Sequence, residues 1–223
     1  DGVNRGLDRS LSMMGRNVVF VQKWPWGFGG EYKWWEFVNR REMKEEYAEK
    51  IKEYSRYASD VSIDISRMVT IRFEDKSTEV PVQGVSASYA QISGYDMEEG
   101  RFFNEEDVAS GRNLVVLGGT VADALFPDSY PIGKNIRIDG SRFRVVGVLE
   151  KQGKFLGLED TDNRIIIPYG AYKKYYPTRY GMSLKVAFTD DESFEKGQYE
   201  IEGVMRRIRQ LDALEENDFA IKL

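Results

Sequence analysis

The side chains able to do chemistry in this chain are few, and the missing types decide as much as those present. The 223 residues include no cysteine and no histidine. This removes disulfides, thiolate metal sites and thiolate nucleophiles. It also removes the usual general base and the commonest transition-metal ligand. Catalysis would have to rest on carboxylates, lysine, tyrosine or serine. Carboxylates gather at Glu98, Glu99, Glu105, Glu106 and Asp107. A glycosidase needs two of them facing each other across about 5 to 9.5 Å, and acidic residues beside Gly100 and Asn104 read instead as a solvated loop. Asp160-Thr161-Asp162-Asn163 opens like a calcium loop, but Arg164 stands where the next ligand should fall. It reads as a loop built on Asx turns. Residues 113–117, Gly118-Gly119 and residues 120–126 outline a strand, a break and a helix, the form of a phosphate-binding turn. Neither G-x-G-x-x-G nor G-x-x-x-x-G-K-[ST] is present. The two glycines are expected to let the chain turn sharply. No catalytic residue, metal or cofactor is expected.

The candidates for contact with another molecule are apolar. All four tryptophans, Trp24, Trp26, Trp34 and Trp35, fall in WPWGFGGEYKWWEF, among three glycines and a proline. Two readings stand. The rings form an aromatic surface for a partner, a lipid headgroup or a sugar, or they fold back on the domain's own core. Phe155 and Leu156, in the middle of the polar connection 151–163, either tuck down or touch a partner or the membrane side of a ligand path.

Composition narrows the class. The net charge of -5 argues against nucleic acid as a partner, which would call for a basic face. A 41% hydrophobic share is enough to build a core. No run approaches the roughly 20 apolar residues of a membrane-spanning helix. The chain starts at Asp1 with no signal-peptide pattern, so it is expected to be trimmed from something longer.

The elements that must position these residues follow from periodicity. Val3, Leu7, Leu11 and Met14 form one stripe of an amphipathic helix ending at Gly15. Residues 17–22 are a strand. Met43, Tyr47, Ile51 and Tyr54 mark a helix over residues 40–57, and 61–66 alternates as a strand. From Met68 to Tyr176 the strands are short and the turns frequent. Strands are expected at 68–73 and 79–85, joined by a hairpin loop at 74–77. Asp139-Gly140 is the strongest hairpin signal; it puts Ile136, Ile138, Phe143 and Val145 on one face and Arg137, Arg142 and Arg144 on the other. A strand at 164–169 precedes a short aromatic helix at 171–176. Residues 183–188 alternate again, a helix runs from 192 to 211 with Ile201, Val204, Met205, Ile208 and Leu211 inward, and 218–223 closes as a strand. Thr189 with Glu192, or Asp190 or Asp191, would cap that helix.

The expected class is therefore α+β. An α/β lobe is built from both chain ends, residues 1–67 and 183–223, and a β-rich lobe, residues 68–182, is inserted between them. The end units would form one sheet with two helices on one face.

The central stretch resembles the extracytoplasmic domain of MacB-type ABC transporter permeases. The matching residues are GVSASYAQISGYDMEEGRFFNEEDV at 84–108, NLVVLGGTVADALFP at 113–127, PIGKNIRIDGSRFRVVGVLEKQG at 131–153 and DNRIIIPYGAY at 162–172. Their order and spacing are more specific than any one of them. The resemblance implies a porter-like lobe and a Sabre-like β-rich insert on the periplasmic side of the bacterial inner membrane, between two transmembrane helices. It implies that ATP hydrolysis lies in a separate cytoplasmic subunit or domain. It also implies a second permease copy as partner, and an adaptor or substrate protein as a further one. In that family the periplasmic domain transmits motion and carries no catalytic residues. The Trp-rich loop departs from the family pattern.

Overall fold

The computed structural model of the chain describes residues 17–25, 34–153 and 160–223. The helix expected over residues 1–16 lies outside the described residues, as do Trp26, Phe155 and Leu156. Ten strands are described: β1 (Val18–Gln22), β2 (Ala58–Phe73), β3 (Lys76–Val85), β4 (Met97–Gly100), β5 (Leu114–Leu117), β6 (Asn135–Ile138), β7 (Ser141–Leu149), β8 (Ile165–Pro168), β9 (Ser183–Phe188) and β10 (Ala220–Lys222). The described helices are α1 (Trp34–Phe37), α2 (Glu46–Tyr54), α3 (Tyr89–Ser93), α4 (Glu105–Ala109), α5 (Gly119–Leu125), α6 (Tyr169–Tyr175) and α7 (Asp191–Arg209). They fall into two compact units, Gly15–Asp64 with Pro177–Leu223, and Ile65–Tyr176; β2 contributes residues to both.

The unit made from the two flanks is an antiparallel sheet in the order β10-β1-β9-β2. At its centre β9 alternates, with Leu184, Val186 and Phe188 buried, and Val186 faces Val19 on one side and Val61 on the other. Helix α7 packs on β9, and α2 packs on α7. Asp190 is the cap of α7: its Oδ1 accepts from Ser193 N at 2.7 Å, which satisfies one of the donors a helix start leaves open. Ile201, Val204 and Met205 form its buried stripe.

The helix expected over residues 40–57 is confined to 46–54, and tertiary hydrogen bonds explain both ends. Before it, the carbonyls of Arg41 and Glu42 accept from the Arg209 guanidinium at 3.0 and 3.1 Å, so they are not helix acceptors. After it, the Arg56 amide donates to both Glu200 oxygens at 3.0 Å, and the Ser55 hydroxyl donates to Glu200 as well. The chain turns extended at Ser55.

In the unit Ile65–Tyr176 the strands run β2-β3-β8-β5-β7-β4, with β6 paired to β2 and β7. The pairs β3–β8 and β5–β7 are parallel. Val85, Tyr89, Phe103, Val116, Leu149 and Ile166 share one core. The Asp139-Gly140 hairpin forms in the expected register, with Ile138 facing Ser141 and Ile136 facing Phe143. Besides the two helices expected in the middle of the chain, α3 and α4 occur, each too short to show a helical period. The strands expected at 61–66 and 68–73 are one strand, β2.

The Gly118-Gly119 break has a different cause from the one expected. Gly118 sits at φ -62° and ψ 150°, a region open to any residue. What requires glycine is proximity. A Cβ there would lie 2.6 Å from the Thr161 carbonyl oxygen and 2.8 Å from that of Arg164, and closer still to that of Asp162. The Gly118 amide donates to Arg164 O at 2.8 Å, which seats the start of α5 against the turn 161–164.

Candidate functional site

The acidic run that invited an acid–base reading is a folding device. Asn104 and Asp107 form a capping box at α4: Asp107 N donates to Asn104 Oδ1 at 2.8 Å, and Asn104 N donates to Asp107 Oδ2 at 3.1 Å. Asp107 is fully buried, and Arg101 at 2.8 Å and Arg112 at 3.3 Å pair with its two oxygens. Burial opposes its ionisation, but the Arg101 and Asn104 hydrogen bonds and the two guanidinium charges outweigh that. The carboxyl is held below its usual range. A carboxylate so placed neither takes up nor gives a proton near neutral pH. Glu98, Glu99, Glu105 and Glu106 are exposed.

Asp162 has a comparable task. Its Oδ1 accepts from Gln152 N at 2.8 Å and its Oδ2 from Gly153 N at 2.9 Å. Both oxygens cap main-chain amides just before residues 154–159. The segment that resembled a calcium loop is a 3-10 turn, Thr161–Asn163. Among the described residues no group of acidic side chains is arranged to hold a metal.

The aromatic segment divides. Trp24 is half-buried: Lys23 Nζ lies 5.2 Å from its ring centre, and the Gln22 side chain donates to its carbonyl at 2.7 Å. Lys23 is itself buried and pairs with Glu42 at 2.6 Å. Trp34 and Trp35 are each 56% exposed, edge to face with ring centres 6.1 Å apart. Val38, exposed as well, follows them, and Val38 N closes the turn on Trp34 O at 3.1 Å. Arg40 stacks over Phe37 at 4.6 Å. A short helix and the residue after it thus present two indoles and a valine to solvent.

What fixes the stretch after α1, at Arg41 and Glu42, is a group the sequence did not single out. Arg209, the last residue of α7, has a side chain with no exposed surface. It donates to Asp218 Oδ2 at 2.9 Å and to the carbonyls of Arg41 and Glu42, and it lies over the Tyr47 ring at 5.3 Å. Arg41 closes the ring, donating to Asp218 at 2.7 Å and to Arg209 O at 2.8 Å. The segment after α1, the end of α7 and the approach to β10 are joined at one ion-paired node. Sequence offered one signal only: arginine in the last turn of a helix, which normally reads as a solvated cation complementing the dipole.

Family likeness decides what the domain is. Residues 1–204 match the family described as the MacB-like periplasmic core domain. The chain belongs to that family. The macrolide export ATP-binding/permease protein MacB of Bdellovibrio bacteriovorus is 28% identical over 218 residues, 97% of this chain and 33% of that protein. The pyoverdine export ATP-binding/permease protein PvdT of Pseudomonas aeruginosa is 30% identical over 141 residues, 63% of this chain and 21% of that protein. The chain therefore spans about a third or less of the length of these relatives. The crystal structure of the periplasmic region of MacB from Actinobacillus actinomycetemcomitans superposes with a TM-score of 0.76 at 21% identity, covering 95% of this chain and 91% of that one. The fold is that of a MacB periplasmic region. No described helix of this MacB-like domain is long and apolar enough to cross a membrane.

Proposed function

We propose that this chain is the extracytoplasmic domain of an ABC transporter permease, and that it couples ATP hydrolysis elsewhere in the transporter to a conformational change outside the inner membrane. The observation that carries this is the family match over residues 1–204. In this reading the unit Gly15–Asp64 with Pro177–Leu223 is a porter-like lobe, and Ile65–Tyr176 is the inserted Sabre-like lobe. Transmembrane helices flank the domain, a second permease copy stands beside it, and the ATPase is a separate cytoplasmic domain or subunit. Cargo is exported or extracted from the periplasmic side, with or without an adaptor protein. The domain acts mechanically and carries no catalytic residue and no cofactor. The ion-paired node at Arg209 supports this, because it ties the two flanking segments into one unit able to pass on a displacement. The test is direct: the isolated chain is expected to neither bind nor hydrolyse ATP, and phosphate release by it would overturn the reading.

A second reading rests on one specific observation, the exposure of Trp34 and Trp35. Those rings, with Trp24, Trp26, Phe155 and Leu156 as further candidates, would contact the cargo or a partner, or would make the domain a carbohydrate- or peptide-binding module. Glycan- or peptide-array binding by the isolated domain, lost in Trp34→Ala and Trp35→Ala, is the outcome that supports it. Array binding unchanged in both variants contradicts it.

A further inference from the structure

The solvent face of the Asp139-Gly140 hairpin and its neighbour β2 carries a row of arginines. Arg72 of β2 faces Arg137 of β6, and Arg137 faces Arg142 of β7, in cross-strand register. Directly opposed residues share a face of a sheet. On the other face Ile71, Ile136, Ile138 and Phe143 are buried. Arg144 lies two residues along β7 on the same side as Arg142, and all four arginines are exposed. Like charges set directly opposite each other destabilise a sheet, and the usual remedy is an interleaved carboxylate. Here none is in place: among the described residues, no carboxylate lies within ion-pair distance of Arg72, Arg137, Arg142 or Arg144. Arg72 and Arg137 spend donors on the carbonyls of Glu74 and Gly140, which fixes the stems and leaves the charge unanswered. This happens on a protein whose net charge is -5.

We propose that this face is a docking surface for an acidic helix of a partner protein. The pitch favours that occupant. Neighbouring strands lie about 4.8 Å apart, and side chains at i and i+4 on a helix lie about 5–6 Å apart. A helix laid across the strands with carboxylates at i, i+4 and i+8 meets Arg72, Arg137 and Arg142 in turn. The planar guanidinium fork matches carboxylates bidentately, which a lysine row would not do. Exposed Met68, two strand positions beyond Thr70 on the face of Arg72, supplies an apolar contact; arginine and methionine are both enriched at protein interfaces. A lipid surface is the less suited occupant, because peripheral membrane binding uses lysine- or arginine-rich faces together with aromatic anchors, and none of these face positions is aromatic.

The test uses the chain itself and two helix-forming alanine-based peptides of about 20 residues, long enough to populate helix in water. One carries glutamates at i, i+4 and i+8; the other has the same composition with the glutamates scattered round the helix. Fluorescence anisotropy at low ionic strength is expected to show the patterned peptide binding about tenfold more tightly than the scattered one, with the difference shrinking as salt is raised. Arg72→Gln/Arg137→Gln/Arg142→Gln is expected to abolish that preference. A control with the same loss of charge elsewhere, Lys44→Gln/Lys50→Gln/Arg56→Gln, is expected to keep it. Arg142→Gln alone, which gives up no described side-chain hydrogen bond, reads the same effect if the triple variant does not fold. Equal binding of the two peptides, or none, overturns the proposal. So does triple-variant-sensitive binding to phosphatidylglycerol vesicles without peptide preference.

Discussion

Replacing Arg209 by methionine removes the charge while keeping most of the volume, and the node around it allows the cost to be worked out. Three acceptors lose a donor: Asp218 Oδ2 and the carbonyls of Arg41 and Glu42. Breaking a buried ion pair costs about 3–5 kcal/mol when it leaves a charge unanswered. Asp218 keeps Arg41 at 2.7 Å, so the expected loss is at the lower end, about 3 kcal/mol. Arg41 is half exposed, and Arg41→Met alone is expected to cost about 1 kcal/mol. The double variant should exceed the sum of the singles by roughly 1 kcal/mol, because only then is Asp218 without a partner. Urea unfolding followed by tryptophan fluorescence is the assay, since Trp24, Trp34 and Trp35 lie in the unit that holds the node. A loss below about 1 kcal/mol for Arg209→Met, or strict additivity in the double variant, would refute the reasoning.

Other expectations follow from single contacts. Gly197 of α7 lies so close to the Phe188 ring that an added Cβ would overlap it; Gly197→Ala is expected to destabilise by about 1–3 kcal/mol, against the gain of about 1 kcal/mol alanine normally brings to a helix interior. Asp107 has its pKa depressed in the folded chain, so its contribution is present above the unfolded value of about 3.9 and lost as pH falls through the folded one. Asp107→Asn should cost about 2 kcal/mol at neutral pH and flatten the acid limb of stability below about pH 4, read by urea titrations across pH. Tyr176 is pushed above its ordinary range, first by burial and then by its hydrogen bond to Asp139 at 2.8 Å. Its contribution holds below the unfolded value of about 10 and is lost as pH rises beyond it. Tyr176→Phe should remove that alkaline component, measured by unfolding above about pH 10.

How far the sequence could be read depended on where each residue's partners lie. Strand β9 and the hairpin at Asp139-Gly140 were legible because alternation and turn chemistry are local. Helix α7 was legible because its apolar stripe runs for several turns. The ends of α2 were not, because they are set by Arg209 and Glu200, more than a hundred residues away in sequence. The continuity of β2 was hidden by Ser66, Arg67 and Met68, three exposed residues in succession that break the alternation. Gly118 looked like a conformational hinge and is a spacer, a distinction that only the neighbouring carbonyls reveal. For the candidate contacts, the sequence singled out the tryptophans as a group, whereas burial separates Trp24 from the exposed pair Trp34 and Trp35. The burial of Arg209 carried no local mark, since a cation in the last helical turn is the ordinary surface pattern.

In the proposed function this domain moves when ATP is bound and hydrolysed elsewhere. The absence of native cysteine from the chain makes a single spin label at Glu195→Cys, on the exposed face of α7, unambiguous within it. Pulsed electron–electron distances between two copies of the full-length transporter, reconstituted in membranes, should shift between the nucleotide-free and ATP-trapped states. Two superimposable distance distributions would contradict the claim.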